Sequence, residues 1–165
     1  MAIKGKYNDN LISITIPVKS YLKQYLVCRY RLRNARLRVS SRNSIGVFVL
    51  KTLERASTHN HKGVKIAYDS KLTIDLPENI LDKYGYFISK ENVYFFNQFA
   101  QELFIEHFDM YYKTQKRFNE KVEIKTSLSD FLFDFDIDEN KIAFETLIKQ
   151  YQRYRNAGHL FEYHN

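Results

Sequence analysis

Residues 12–17 read ISITIP, and residues 72–77 read LTIDLP. In both, aliphatic side chains alternate with small or acidic ones, and a proline closes the run. Successive side chains of a strand point to opposite faces, so each stretch predicts a half-buried strand. Ile12, Ile14 and Ile16 face one way and Ser13 and Thr15 the other; Leu72, Ile74 and Leu76 oppose Thr73 and Asp75. The echo continues downstream. SRNSIGVF at 41–48 matches SKENVYFF at 89–96: a serine fit to cap a helix, a basic residue, and an aliphatic residue four positions after the cap. Between the matches each copy carries a Tyr/Leu/Lys segment of helical period. The unit is strand, helix, capped helix, and it occurs twice.

One such unit leaves its strand with an uncovered apolar face and unmet edge hydrogen bonds. Two units meet both needs by pairing 12–16 with 72–76 antiparallel and stacking helices on the apolar side. The first copy is longer by about a dozen residues, and the insertion coincides with the arginine-rich stretch 29–42.

Working outward, helical spacing covers 18–34 through Tyr21, Leu22, Tyr25 and Leu26. Arg36–Val39 reads as a short strand or extended turn. Ser40 or Ser41 caps a helix running to about Ala56, and THNHKG at 58–63 is a polar loop. ENILDKY at 78–84 is a brief helix stopped by Gly85. Ser89 caps the longest helix, from Lys90 to about Tyr112, with Val93, Phe96, Ala100, Leu103, Phe104 and Phe108 inward. A polar connection follows. Ser127 opens a short helix, and a last one runs from Lys141 to Arg155 with Phe144, Leu147, Ile148 and Tyr151 inward. The first ten residues read as a loose arm, and 158–165 as a tail packing back through Leu160 and Phe161. The expectation is a mainly helical α+β fold with a short two-stranded antiparallel ribbon and a C-terminal helical pair. Its segments are 1–65, 66–125 and 126–165.

The ribbon with its helices resembles the ribbon-helix-helix family of DNA-binding repressors. The second copy, LTIDLPENILDKYGYFISKENVYFFNQFAQELF, carries the resemblance over about a fifth of the chain. Family membership implies pairing through the strand and a base-reading outward face. That face would hold Ser13 and Thr15 in one copy and Thr73 and Asp75 in the other.

Composition narrows the classes. Of 165 residues, 44% are hydrophobic and 16% aromatic, with no Trp, 5 Gly and 2 Pro. Such a chain builds a core, and its scarcity of turn formers argues against glycine-rich catalytic loops. No apolar run is long enough to span a bilayer or opens the chain as a signal peptide. Cys28 is alone, which excludes an internal disulfide and a cysteine-built metal site. A cytoplasmic protein without membrane attachment is the expectation, with a virion location as the alternative.

Charge is segregated. The chain carries a formal +7, yet residues 1–65 hold 14 basic and 2 acidic side chains, and the remainder 12 and 17. Arg29, Arg31, Arg33, Arg36, Arg38 and Arg42 fall within fourteen residues without one acid. Arginine's planar fork suits phosphate oxygens, and Tyr30 between them offers a stacking surface. With Ser13 and Thr15, these arginines form the candidate nucleic-acid site, DNA ahead of RNA. The competing use is a subunit surface whose arginines pair with acids such as Asp130, Asp134 and Asp136.

Other chemistry is weaker. The C-terminal pair has helix-turn-helix spacing, but its basic Lys149, Arg153 and Arg155 sit near the last helix's end, where they complement the helix dipole. Asp134, Asp136, Asp138, Asn140 and Glu145 follow a calcium-loop spacing with Glu139 in place of the required glycine. Glu102, Glu106 and His107 share a helix without matching donors elsewhere, and His59 and His61 are two loop imidazoles. No phosphate-binding, nucleophile-elbow or zinc-protease motif is present, so no enzyme, cofactor or metal is expected. The sequence therefore points to a non-enzymatic DNA-binding or regulatory protein of phage or mobile-element type. The alternative is a structural or assembly component of a larger particle. The 13 Tyr and 13 Phe exceed what so short a chain needs inside, which favours a homo-oligomer or larger assembly.

Overall fold

A computed structural model describes residues 11–40, 42–55, 68–139 and 142–162, with side chains described as far as residue 157. The expected N-terminal arm, the 58–63 loop and a cap by Ser41 lie outside the described residues. So does the packing of Leu160 and Phe161.

The two echoing stretches are strands and they pair. β1 (Leu11–Val18) lies antiparallel to β3 (Ser70–Pro77), with Ile14 opposite Ile74, Thr15 opposite Thr73 and Ser13 opposite Asp75. Ile14 and Ile74 hold equivalent positions in the two copies, so the register is symmetric about that pair. The ribbon has a third member, which corrects the expected two-stranded form. β2 (Arg36–Arg38) runs parallel to β3 on its other side, giving the order β1-β3-β2. Pro17 sits within β1, where an edge strand tolerates its missing N–H.

β2 exists because the first helix stops early. α1 (Ser20–Tyr30) ends four residues before the expected limit at 34, with Arg31 in the left-handed region. The N–H of Arg31 donates to the Cys28 carbonyl and that of Leu32 to Val27, a Schellman-type closure. A 3-10 turn at Arg33–Ala35, with Asn34 and Ala35 also left-handed, then aims the chain along β3.

α2 (Ser44–Thr52) is capped by Asn43, whose Oδ1 accepts from the Gly46 N–H at 2.6 Å, and not by Ser40. α3 (Glu78–Tyr84) stops at Gly85 as read. Gly85 has φ +98°, and a Cβ there would lie 2.1 Å from the Glu54 carbonyl oxygen. That close approach lets Glu54 and Phe87 exchange two backbone hydrogen bonds, which join the copies beyond their strands.

α4 (Lys90–Phe118) is capped by Ser89 as expected but runs six residues past Tyr112. α5 (Ile124–Asp134) begins three residues before Ser127, which is a wholly buried residue of its first turn and no cap. α6 (Phe144–Glu162) starts later than Lys141 and continues through most of the expected tail. No helix among the described residues is long and apolar enough to cross a membrane.

The helices lie against the apolar side of the sheet, where Ile16, Leu72, Ile74 and Leu76 are buried. α4 is the spine. It packs on β1, α1, α2, α5 and α6. Its Phe104 and Phe108 meet Tyr25, Phe131 and Tyr151 in edge-on and tilted contacts at 4.8–5.5 Å. Aromatic rings attract in such arrangements because ring edges are positive and faces negative. Much of the aromatic surplus is thus consumed internally. Buried side chains from all three segments of the sequence join in one core.

Buried Asn97 on α4 ties the second copy to the first. Its Oδ1 accepts from the Lys19 N–H at 3.1 Å, and its Nδ2 donates to the carbonyls of Pro17 and Val93. It closes the β1–α1 junction, where the chain leaves the sheet and backbone groups lose their ladder partners.

Candidate nucleic-acid interface

Alternation puts Ser13 and Thr15 on the side of the sheet away from the helices, together with Lys71, Thr73 and Asp75 of β3. β2 adds Arg36 beside Thr73 and Arg38 beside Asp75, while Leu37 turns inward and is buried. Ser13, Thr15, Arg36 and Arg38 of the candidate set therefore share one face. Among the described residues of these strands, three cations stand on it against one carboxylate. Ser13, Thr15, Lys71, Arg36 and Arg38 are all exposed.

At the middle of the face is a bonded triad. Arg36 donates from Nε to Asp75 Oδ2 at 2.9 Å and from Nη2 to Asp75 Oδ1 at 2.6 Å. The same Nη2 reaches Ser13 Oγ at 2.6 Å, and Ser13 donates to Asp75 Oδ1 at 2.7 Å. A planar guanidinium matched to both oxygens of a carboxylate is the strongest form of this contact. It holds the Asp75 carboxyl below its usual range, chiefly through the Arg36 hydrogen bond and then through Ser13 and the charge of Arg38. The triad links all three strands by side chains.

The other arginines take different positions. Arg31 closes α1, Arg33 lies in the 3-10 turn, and Arg42 precedes α2, donating its N–H to Ser40 Oγ; all three are exposed. They flank β2 at its two ends and lie outside the sheet. Arg29 belongs to the helical layer. Its Nη1 meets His107 Nδ1 of α4 at 2.6 Å, and its guanidinium lies over the Tyr25 and Tyr30 rings. Burial first, and then the Arg29 charge, depress the His107 pKa, which suits an unprotonated Nδ1 accepting from the arginine. Arg29, Arg33 and Arg36 do not share a helical face, because α1 ends at Tyr30.

The acids expected as partners are occupied elsewhere. Asp130 accepts from Gln115, Asp134 from Tyr111 and Asp136 from Gln24. Glu102 and Glu106 are exposed on α4, and among the described residues no three His, Cys, Asp or Glu side chains gather where a metal ion would bind. Lys71 was missed as a member of the face; Asp75 was expected on it, but not as the counter-charge of Arg36. Extending the alternation of 72–76 by one step would have found Lys71. Pairing Asp75 with Arg36 required knowing that β2 lies beside β3.

No family model, no curated protein and no solved structure matches the chain.

Proposed function

We propose that this is a non-enzymatic DNA-binding protein that presents the open sheet face and the flanking arginines of 31–42 to the duplex. One observation carries the reading: the exposed strand positions Ser13, Thr15, Lys71, Arg36 and Arg38 share a single hydroxyl-rich, net-positive surface that no described helix covers. Hydroxyls and guanidinium groups are the donors that phosphates and base edges accept. Arg31, Arg33 and Arg42 add phosphate contacts at the margins. The antiparallel pair symmetric about Ile14 and Ile74 supports the resemblance to ribbon-helix-helix repressors, with regulation as the corresponding role. The departure is that the outward arginines come from the inserted β2.

Fluorescence anisotropy with a labelled random-sequence DNA duplex tests this. Micromolar binding is expected at physiological salt, the ordinary range for non-specific contacts (about 10⁻⁴–10⁻⁶ M). Single-stranded RNA should compete less well than unlabelled duplex. No binding at 100 mM salt contradicts the proposal.

A second reading, assembly into a larger particle, is favoured by Phe118 at the end of α4 and Phe133 near the end of α5, which are 88% and 84% exposed. Sedimentation velocity separates the two: self-association lost on Phe118→Ser and Phe133→Ser supports assembly, and a monomer at high concentration opposes it.

A further inference from the structure

The arginines around the sheet are not equivalent, and the difference has a functional consequence. Resting on the DNA-binding reading above, we propose that Arg36 is a specificity residue that reads the acceptor edge of a guanine. Asp75 and Ser13 act as its positioning residues, and the exposed arginines beside it supply the phosphate contacts.

Charge comes first. Phosphate affinity arises from neutralisation and counterion release, so an arginine contributes in proportion to its uncompensated charge. Arg36 has a carboxylate on two of its nitrogens, and the pair is close to neutral seen from a phosphate. It is a poor choice for backbone attraction.

Geometry points the other way. Side-on contact through Nε and Nη2, with Ser13 braced against the same Nη2, fixes the guanidinium plane on a sheet whose strands are themselves fixed. None of these bonds uses Nη1, and the side chain remains 45% exposed. An arginine ordered before binding loses little side-chain entropy when its outward donors meet an acceptor, and it meets only an acceptor lying in its plane. Guanine is the base whose major-groove edge offers two adjacent acceptors and no donor. The Ser13 hydroxyl donates its proton to Asp75 and keeps a lone pair that can accept from a donor on the neighbouring base edge.

Asp75 is buried beneath Arg36 with both carboxylate oxygens bonded to it, so the pair offers a phosphate neither net attraction nor a bare cation. This point of the row is therefore better suited to a base edge than to phosphate.

The test uses the full chain. A pool of random 20-bp duplexes is enriched by binding and sequenced. Anisotropy then compares the enriched duplex with a scrambled one at two salt concentrations, for wild type, Arg36→Lys, Asp75→Asn and Arg38→Ala. Wild type should prefer the enriched duplex by about tenfold or more, with guanine at one or more fixed positions. Arg36→Lys keeps a cation beside Asp75 but loses the planar fork, so preference at that guanine should collapse, with affinity for the enriched duplex falling by more than affinity for the scrambled one. Asp75→Asn releases the Arg36 charge: scrambled DNA should bind more tightly, with a steeper salt slope, and preference should fall. Arg38→Ala should weaken both duplexes alike.

If Arg36→Lys leaves the preference intact, or if Asp75→Asn weakens scrambled-duplex binding, Arg36 is a structural or phosphate-contacting residue and the inference is overturned. DNA binding itself still stands in that case. Wild-type binding without sequence preference also overturns the inference alone, whereas absence of any duplex binding removes the functional proposal along with it. Thermal unfolding of each variant identifies a binding loss that comes from unfolding, and the opposite signs expected for Asp75→Asn and Arg38→Ala cannot both arise that way.

Discussion

β1 and β3 share an alternation and closing proline, yet they end in different surroundings. β3 lies between two strands, with Leu72, Ile74 and Leu76 wholly buried. β1 is an edge strand whose Ile12 is 44% exposed. The second copy supplies the structural centre, since its strand is central and its capped helix is the spine α4. The first copy supplies the positive charge and the inserted strand that displays it. The repeated pattern thus serves two roles through position: the strand at the edge leaves more of its surface open, and the strand in the middle is largely enclosed.

Large-to-small substitutions break this comparison most sharply. Ile74→Ala should cost about 2–5 kcal/mol in guanidinium unfolding, and Ile12→Ala at the equivalent alternation face less than about 1 kcal/mol. Equal losses would show that β1 is as enclosed as β3. Next in size is Asn97→Ala, which strips the β1–α1 junction of its partners and should cost about 1–3 kcal/mol, the usual penalty for orphaned buried polar groups. Amide hydrogen exchange should speed up at Lys19 in that variant.

A smaller effect is pH-dependent. Asp75 bridges the strands of both copies, and its carboxyl sits below the normal value mainly because Arg36 donates to it. A depressed carboxylate stabilises the fold fully above its unfolded pKa, about 3.9, and loses that contribution as pH falls through the lower folded value. Wild type should therefore lose stability on acidification below about pH 4 more steeply than Asp75→Asn, measured as Tm against pH.

Smallest is the contact between Arg29 of the first copy and His107 of the second. A base with its pKa lowered on folding favours its neutral form. This contact should weaken the fold as pH drops below about 6.5, the unfolded histidine value. His107→Phe should flatten the pH profile between about 5 and 7.

The strand pair was legible in advance because period-2 alternation and a proline leave few alternatives over six residues. α4 was legible in its interior, where Val93, Phe96, Ala100 and Phe104 recur at helical spacing. Its end was not, because Lys113–Arg117 present no apolar residue to mark a face, and the helix continues there on capping and charge. The sequence reading points to Ser40 or Ser41 as the α2 cap and does not consider Asn43; the geometry of the turn selects Asn43. β2 was harder still. Three residues carry too little periodicity to declare a partner, and its place depends on the left-handed residues at 31, 34 and 35. The candidate face was accordingly half legible: Ser13 and Thr15 by alternation, Arg36 and Arg38 only once β2 was placed. Arg29 looked like its neighbours in sequence and differs from them because α1 carries it to His107.

The most direct measurement is the salt dependence of duplex binding by wild type beside a triple Arg31→Ala, Arg33→Ala, Arg38→Ala variant. Log affinity against log salt should fall steeply for wild type, and the variant's slope should be shallower by about 0.9 for each phosphate contact removed, with the variant folding normally. Identical slopes, or an affinity indifferent to salt, would contradict the claim that this basic insertion meets the DNA backbone.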